Sequence, residues 1–239
     1  MKLFKVIISA LFPDTCVGCG EILENGDSLC EYCHEFLERT AKDRLCSKCG
    51  LPKKSCDCSK YIFRFDGCVA PFYNKGIAKE LMNEFKFRKK ERYAKFLASQ
   101  MALSVKQAFP DIVFDGVAFV PMLAKNKLKR GYNQSELLAT EISNILGLPI
   151  YRNLLGAKPK AKSQHDTPIK ERFDNVNGRY YCKQKLNGRN ILLVDDIKTT
   201  GATLDECSKH LLRGGANSIY CVTGLIGYKR RKEEKKNGN

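Results

Sequence analysis

The sequence predicts an α/β protein in which a parallel sheet is flanked by helices and preceded by a small cysteine-rich module. Eight of the twelve cysteines fall between Cys16 and Cys58. From about Cys68 onward, short apolar runs alternate with segments of helical periodicity, which is typical of a parallel sheet with crossover helices. The run from Ile191 to Val194 is apolar throughout, as in a strand that is covered on both faces.

The eight N-terminal cysteines form four closely spaced pairs, a pattern typical of zinc knuckles. Four such pairs provide thiolates for two tetrahedral Zn²⁺ sites. A secreted disulfide scaffold is the alternative, and it would need an export signal. Sequential pairing of the knuckles needs shorter loop closures than a cross-braced arrangement, although spacing leaves both open. The predicted ligands of one or two structural zinc ions are Cys16, Cys19, Cys30, Cys33, Cys46, Cys49, Cys56 and Cys58.

The N-terminal segment combines Lys2 and Lys5 with an apolar run from Val6 to Phe12. No small-residue cleavage site follows, because Pro13 leads directly to the cysteines, and the run is too short to span a bilayer. We expect a helix that docks on the folded domains, in a cytoplasmic protein. Contact with the inner face of the membrane is the alternative.

The α/β region follows a regular order of elements. A polar cap at Asn133 followed by apolar residues such as Leu138 and Ile142 at helical spacing predicts a helix. Gly214 and Gly215 predict the end of another helix. In full, the pattern predicts strands at 69–73, 116–121, near 150, 191–194 and 218–225, and helices at 77–87, 92–108, after 133 and at 203–213.

The formal net charge of +16 indicates a polyanionic partner. Single-stranded DNA or a polyphosphate ligand would fit. A basic and aromatic segment from Phe85 to Phe96 has two interpretations. Its cations could follow a nucleic-acid backbone while its aromatic rings stack on bases, or it could be an amphipathic helix that buries Phe85 and Phe96.

The segment ILLVDDIKTTGATL joins a buried strand to an acidic pair and a small hydroxyl-rich loop. Ligands of open α/β sheets lie beyond the carboxyl ends of strands, where Asp195 and Asp196 are expected. Carboxylates accept hydrogen bonds from vicinal hydroxyls, whereas a small loop before a helix donates to a phosphate. The pattern therefore suits a ribose 5-phosphate held by the loop of Thr199, Thr200, Gly201, Ala202 and Thr203. An acidic strand end before an ordinary capped helix is the alternative, and a P-loop is excluded because GxxxxGK[ST] is absent.

This segment resembles the phosphoribosyl pyrophosphate signature of type I phosphoribosyltransferases, and the chain is identified as a member of the ComF family. The matching blocks are CVGCG, LCEYC, CSKCG, CDC, KRGYNQSELLA, KSQ with KERFDNV, and the signature itself, which together span residues 16 to 225. The resemblance implies a double zinc-ribbon-like module at 1–60, a type I phosphoribosyltransferase-like domain at 61–228 and a charged flexible tail at 229–239.

The resemblance also implies roles for particular residues. Asp195 and Asp196 would be the catalytic pair that holds the ribose hydroxyls, and Mg²⁺ would accompany phosphoribosyl pyrophosphate. Pro121, Lys127 and Arg130 stand where the pyrophosphate loop lies, although Met122 and Leu123 depart from the family pattern. A mobile flap is expected at 158–172, with lysines at 158 and 160 in place of the family's arginines. The further residues that it implies are Lys86 near phosphate oxygens, Lys162, Ser163 and Gln164 in the flap, and Arg172 and Asn175 at its far anchor, whereas His165 is more simply a solvated side chain than a base.

The function expected from the resemblance is that of a competence protein. Such a protein handles incoming single-stranded DNA in the cytoplasm, often beside a helicase-like ATPase, and binds phosphoribosyl pyrophosphate. Alternatives are a phosphoribosyltransferase of nucleotide or sugar metabolism with an unknown acceptor, or a catalytically silent sensor of phosphoribosyl pyrophosphate. No acceptor pocket can be identified in the sequence.

Overall fold

The computed structural model describes residues 13–23, 26–41, 45–56, 58–88, 91–159 and 176–227. Three predicted features lie outside these residues: the N-terminal helix, the charged tail and most of the flap, including Lys162, Ser163, Gln164, His165, Arg172 and Asn175. No helix in the described ranges is long and apolar enough to cross a membrane.

A parallel sheet forms the centre of the molecule, as predicted. Its strands run in the order β1, β7, β6, β3, and β2 pairs with β7 beyond the end of β1. A separate antiparallel ribbon consists of β4 and β5. The strands are β1 (Gly67–Val69), β2 (Phe72–Tyr73), β3 (Gly116–Phe119), β4 (Leu155–Ala157), β5 (Tyr180–Cys182), β6 (Asn190–Lys198) and β7 (Ser218–Ile226).

Helices and the cysteine-rich module cover both faces of this sheet. One buried cluster contains apolar residues of α2, α3 and α5, and the other contains residues of α6 together with Cys49, Leu51 and Phe63 from the module and the segment after it. Burial on both faces explains why the central strands are apolar throughout. The helices are α1 (Glu31–Glu35), α2 (Gly76–Arg88), α3 (Glu91–Ala108), α4 (Ala124–Arg130), α5 (Gln134–Leu146) and α6 (Ala202–Arg213).

Two predicted strands differ from the structure. The strand predicted at 69–73 is split into β1 and β2 at Pro71, which has no N–H to donate to a sheet. The signature strand does not end at Val194, because β7 supplies partners as far as the pair Lys198 and Ile226. The acidic pair therefore lies within β6 rather than after it.

Three short elements differ from the prediction or are absent from it. At Ile150 there is only an isolated bridge to Val117. Helix α4 lies where the sequence predicts a loop. Helical periodicity could not reveal it, because the segment has no apolar stripe and its Leu128 is 86% exposed. The ribbon of β4 and β5 is not predicted because three residues per strand are too few to establish a period.

The second half of the cysteine-rich module packs on the edge of the sheet. The backbone N–H of Cys68 in β1 donates to the carbonyl of Ser47 at 3.3 Å. Further along, the backbone N–H of Arg64 donates to Oδ1 of Asp205 in α6 at 2.6 Å. The chain that leaves the module is therefore attached to the first turn of the helix after the signature loop.

Candidate functional site

The acidic pair of β6 is held by groups from two helices. Ser135, at the start of α5, donates its hydroxyl to Oδ1 of Asp195 at 2.8 Å. Nζ of Lys86, near the end of α2, lies 2.8 Å from Oδ2 of Asp196. Asp195 is buried, whereas the side chain of Asp196 is 20% exposed and faces the solvent side of the pair. Only Asp196 is thus available to a ligand without rearrangement.

The segment YNQS, which precedes and opens α5, builds much of this site. The Tyr132 hydroxyl donates to the carbonyl of Phe85, which fixes the end of α2 next to Lys86. Asn133 caps α5, as predicted, and its Nδ2 also donates to the carbonyl of Val120 at 3.0 Å. Sequence reasoning identifies Asn133 only as a cap and misses Ser135. The signal was present, because a serine at the first turn of a helix can orient a nearby carboxylate.

Burial raises the pKa of Asp195 to about 7, and the neighbouring charge of Asp196 adds to this effect. Hydrogen bonds from Ser135 and from the backbone N–H of Asp196 act in the opposite direction. A carboxyl whose pKa is raised by folding binds a proton more tightly in the folded state than in the unfolded state. Its contribution to stability is therefore present at low pH and is lost as pH rises through about 7.

We expect Asp195→Asn to stabilise the protein at pH 8 but not at pH 4. The amide removes the cost of ionising a buried group, about 4 kcal/mol above pH 7, and its carbonyl oxygen still accepts from Ser135. Urea unfolding at the two pH values measures the difference. Asp111→Asn, at an exposed position, is the control. Equal effects of Asp195→Asn at both pH values would contradict the assignment of a destabilising buried charge.

The signature loop forms a tight turn into α6. Gly201 has φ +85°, in the left-handed region that favours glycine, and it precedes the first residue of the helix, Ala202. The N–H groups of the first turn have no partner within a helix, so they can donate to an anion. Thr200 Oγ1 accepts from the N–H of Ala202 at 3.4 Å. Burial raises the pKa of Tyr180 in the ribbon, and the nearby Thr203 side chain acts in the opposite direction. Thr199 is exposed beside them.

The other predicted ligand residues surround the pair less closely. Pro121 follows β3 and is half-buried. Nζ of Lys127 lies 3.2 Å from Oε2 of Glu136, the residue after Ser135, so this lysine is held at the edge of the site. Arg130 is exposed at the end of α4. Lys86 contacts Asp196, a position that sequence reasoning does not anticipate.

Residues just after the segment of the predicted flap contact α6. The backbone N–H of Gly178 donates to Oε1 of the buried Glu206 at 2.8 Å. Interactions with Lys209, Gly178 and His210 outweigh the effect of burial and lower the pKa of Glu206. The chain at Gly178 therefore contacts the helix that follows the signature loop.

The eight N-terminal cysteines form two clusters in the sequential grouping. Within each cluster all four sulfur atoms lie within 4.8 Å of one another. Sulfur pairs at 3.6, 3.7 and 3.8 Å are too far apart for disulfides. They agree with the edge of a tetrahedron about 3.8 Å long, which follows from Zn–S bonds of about 2.3 Å. The two groups are Cys16, Cys19, Cys30 and Cys33, and Cys46, Cys49, Cys56 and Cys58.

The local backbone prepares these thiols to bind metal. Gly20 and Gly50, directly after the CxxC pairs, have φ +81° and +73°, which closes each knuckle. Burial raises the pKa of Cys16, but backbone N–H groups, with Cys30 foremost, lower it overall to about 6. The same opposing effects lower the pKa of Cys46 to about 7. Donors that stabilise the thiolate before metal binds are expected in a zinc knuckle, and both clusters suit structural zinc.

A cavity in the described structure lies away from the acidic pair. It has a volume of about 390 Å³ between the cysteine-rich module and α3, and its lining includes Arg39, Cys46, Gln100 and Phe109. None of the residues of the acidic pair or the signature loop lines it.

Comparison with known proteins finds relatives for both halves of the chain. The double zinc ribbon domain family matches residues 7–62, and the phosphoribosyl transferase domain family matches residues 133–239. Competence protein F of Haemophilus influenzae is 30% identical over 61% of this chain and 66% of its own length. Competence protein ComFC of Bacillus subtilis is 28% identical over 84% and 85%, respectively. DNA utilization protein YhgH of Escherichia coli is 26% identical over 87% and 94%.

Solved structures also match the α/β region. An adenine phosphoribosyltransferase is 15% identical, with a TM-score of 0.39, over 63% of this chain and 78% of that chain. The family matches and the described strands together give a parallel sheet with flanking helices like that of phosphoribosyltransferases, preceded by a cysteine-rich zinc ribbon.

Proposed function

Since this chain is a homologue of competence protein F, ComFC and YhgH with a double zinc ribbon and a phosphoribosyl transferase domain, we propose that it handles incoming single-stranded DNA during natural competence and binds phosphoribosyl pyrophosphate. The proposed compartment is the cytoplasm. A helicase-like competence ATPase is a proposed partner.

The main support for the proposed ligand is that the acidic pair is followed directly by a loop of the kind that binds phosphate. Asp196 is partly exposed and can accept hydrogen bonds from the ribose 2- and 3-hydroxyls. The turn at Gly201 leads into α6, whose first-turn N–H groups would hold the 5-phosphate. Asp195, buried and bonded to Ser135, would fix the strand that carries Asp196.

Cations close to this pair would hold the pyrophosphate. Lys86 forms an ion pair with Asp196. When the ligand binds, the ribose hydroxyls would donate to Asp196 and the pyrophosphate oxygens would contact Lys86. Lys127 and Arg130 on α4 would extend the cationic side of the site. The Asp196 carboxylate would hold Mg²⁺, since it is an oxygen ligand of the kind that this ion prefers, and the ion would supply positive charge that stabilises the pyrophosphate.

The proposed surface for single-stranded DNA adjoins this site. The aromatic residues of the basic segment are mostly internal: Phe85 and Tyr93 are buried, whereas Phe87 is 79% exposed beside Lys86. The Tyr132 hydroxyl donates to the carbonyl of Phe85, two residues before Phe87. An exposed aromatic ring next to a lysine suits base stacking and phosphate contact.

The two alternative functions differ in what happens to the ligand. A transferase of nucleotide or sugar metabolism would break the bond between C1 of the ribose and pyrophosphate and join C1 to an acceptor. A sensor would bind phosphoribosyl pyrophosphate unchanged. Pyrophosphate release, measured with and without candidate acceptors that include single-stranded DNA, separates these alternatives.

The combined function is tested by measuring the affinity for phosphoribosyl pyrophosphate and the affinity for single-stranded DNA in three variants. We expect Asp196→Ala to abolish binding of phosphoribosyl pyrophosphate and to retain affinity for single-stranded DNA. Phe87→Ala should weaken DNA binding about tenfold, because one stacked base contributes about 1–3 kcal/mol. Tyr32→Ala removes another exposed ring, 66% accessible, and is the matched control.

The dependence of DNA affinity on salt concentration provides a second test of the proposed DNA binding. Binding through phosphates should weaken steeply between 50 and 200 mM salt, by about 10³-fold if six phosphates are contacted. DNA binding that is independent of salt, or absent, would overturn the proposed role in DNA handling. Unchanged ligand affinity in Asp196→Ala would overturn the proposed ligand site.

A further inference from the structure

A buried lysine lies directly beneath the signature loop. Lys198, the last residue of β6, is 1% exposed, and its Nζ has no hydrogen-bond partner among the residues that the structure describes. A Cβ built on Gly201 would meet Cε of Lys198 at 3.1 Å and Cε1 of Phe63 at 3.0 Å. The ammonium group is 5.6 Å from the centre of the Phe63 ring. A ring face offsets only part of the cost of burying a charge.

The second cysteine cluster packs against the same part of the sheet. Lys198 pairs with Ile226 of β7, and a Cβ built on Gly50, the residue after Cys49, would lie 3.2 Å from Cδ1 of Ile226. Cys49 is fully buried in the apolar cluster that also contains Phe63 and Ile226. The knuckle and the lysine therefore share one water-poor region.

Direct contacts extend this region to the edge strand. The side chain of Cys68 in β1 belongs to the same buried cluster, and a Cβ built on Gly50 would meet the carbonyl oxygen of Cys68 at 2.6 Å. Water is excluded between the knuckle and the sheet, so charges buried there are only weakly screened.

From this arrangement we infer that Lys198 is the counter-charge of the second cysteine cluster when that cluster holds zinc. Four thiolates around Zn²⁺ leave about two net negative charges, and a buried cation nearby reduces the cost of keeping them out of water. This role rests on metal in the second cluster, one part of the proposed function, and not on the phosphoribosyl ligand. The same lysine also connects the metal site to the signature loop, because its side chain lies beneath Gly201. Loss of metal should therefore affect the loop.

The first cluster is a control within the same chain. Cys19 is exposed, whereas all four cysteines of the second cluster are buried or half-buried, so water reaches the charge of the first cluster more readily. Arg92, whose Nη2 is 3.3 Å from the carbonyl of Thr15, is already paired with Asp14 at 2.8 Å. A requirement for a buried counter-charge should therefore be specific to the second cluster.

The experiment measures zinc release from the full-length chain to a chromophoric chelator, with alkylation of the freed cysteines to identify the cluster that each ion leaves. Lys198→Met keeps most of the length of the side chain and removes its charge. We expect the ion of the second cluster to bind about 10- to 100-fold more weakly, the usual effect of losing a group that supports metal ligands from outside. Release from the first cluster should not change.

Lys53→Met is the matched control, since Lys53 is an exposed lysine in the turn between Cys49 and Cys56 of the same cluster. It should release both ions at the wild-type rate. Thermal unfolding of metal-depleted protein adds a test of folding. There Lys198→Met should be at least as stable as wild type, because it removes an uncompensated buried charge.

Several results would overturn this inference. One is zinc release from the second cluster of Lys198→Met at the wild-type rate. If this variant also binds phosphoribosyl pyrophosphate more weakly, the ammonium group would be assigned to the signature loop instead. Another is equal destabilisation of Lys198→Met with and without metal, which would indicate a packing role alone. A wild-type chain that takes up no zinc at the second cluster would overturn the metal assignment itself.

Discussion

Cys49→Ser should release one of two zinc ions and unfold the second half of the cysteine-rich module. Cys49 is fully buried and lies within 4.8 Å of the other three thiols of its cluster. Binding of structural Zn²⁺ contributes about 10–16 kcal/mol in small domains, and a module of this size has little apolar core to replace it. The loss should spread to β1, which hydrogen-bonds to Ser47 of the knuckle.

Metal analysis and limited proteolysis measure this effect. The zinc content should fall from two ions per chain to one, and the module should become sensitive to protease. Cys182→Ser is the control, because Cys182 is a half-buried cysteine outside both clusters. Two zinc ions retained in Cys49→Ser would contradict the assignment of Cys49 as a ligand.

Gly201→Ala should weaken binding of phosphoribosyl pyrophosphate about 100-fold. Gly201 has φ +85°, which an L side chain rarely adopts, and its new Cβ would meet Phe63 at 3.0 Å and Lys198 at 3.1 Å. The loop must therefore shift. Displacement of binding groups by about 1 Å reduces the efficiency of a site by about 10²-fold.

The matched control for this substitution is Gly147→Ala, at the end of α5. Gly147 has φ +67°, and a Cβ added there would meet nothing within 4 Å, so it tests the backbone strain without the crowding. Gly147→Ala should lose some stability and keep its ligand affinity. Calorimetric titration of both variants with phosphoribosyl pyrophosphate and Mg²⁺ gives the comparison. Equal affinities would show that the turn at Gly201 is not part of the ligand site.

Local patterns predicted most helices of this protein well. Asn133 begins α5 and Gly214 ends α6, because a cap needs only a few neighbouring residues to form. Two of the aromatic residues near α2 and α3 also follow the amphipathic interpretation, with Phe85 buried and Phe96 stacked on Phe72. The exposed Phe87 departs from it.

Contacts between distant segments could not be predicted in the same way. The length of β6 depends on β7, whose residues 223–226 extend the ladder to Lys198. The partner of Lys86 depends on how α2 packs against β6, and spacing contains no information on this. For the cysteines, loop lengths favoured sequential grouping, and the two clusters have that grouping.

The central claim is that the loop from Thr199 to Thr203 and the carboxylate of Asp196 hold a phosphoribosyl group. Calorimetric titration of the zinc-loaded wild-type chain with phosphoribosyl pyrophosphate and Mg²⁺, repeated in the presence of ribose 5-phosphate, tests it most directly. We predict saturable binding with one ligand per chain and competition by ribose 5-phosphate, which shares the sugar and the 5-phosphate. No binding, or binding that inorganic pyrophosphate displaces and ribose 5-phosphate does not, would contradict the account.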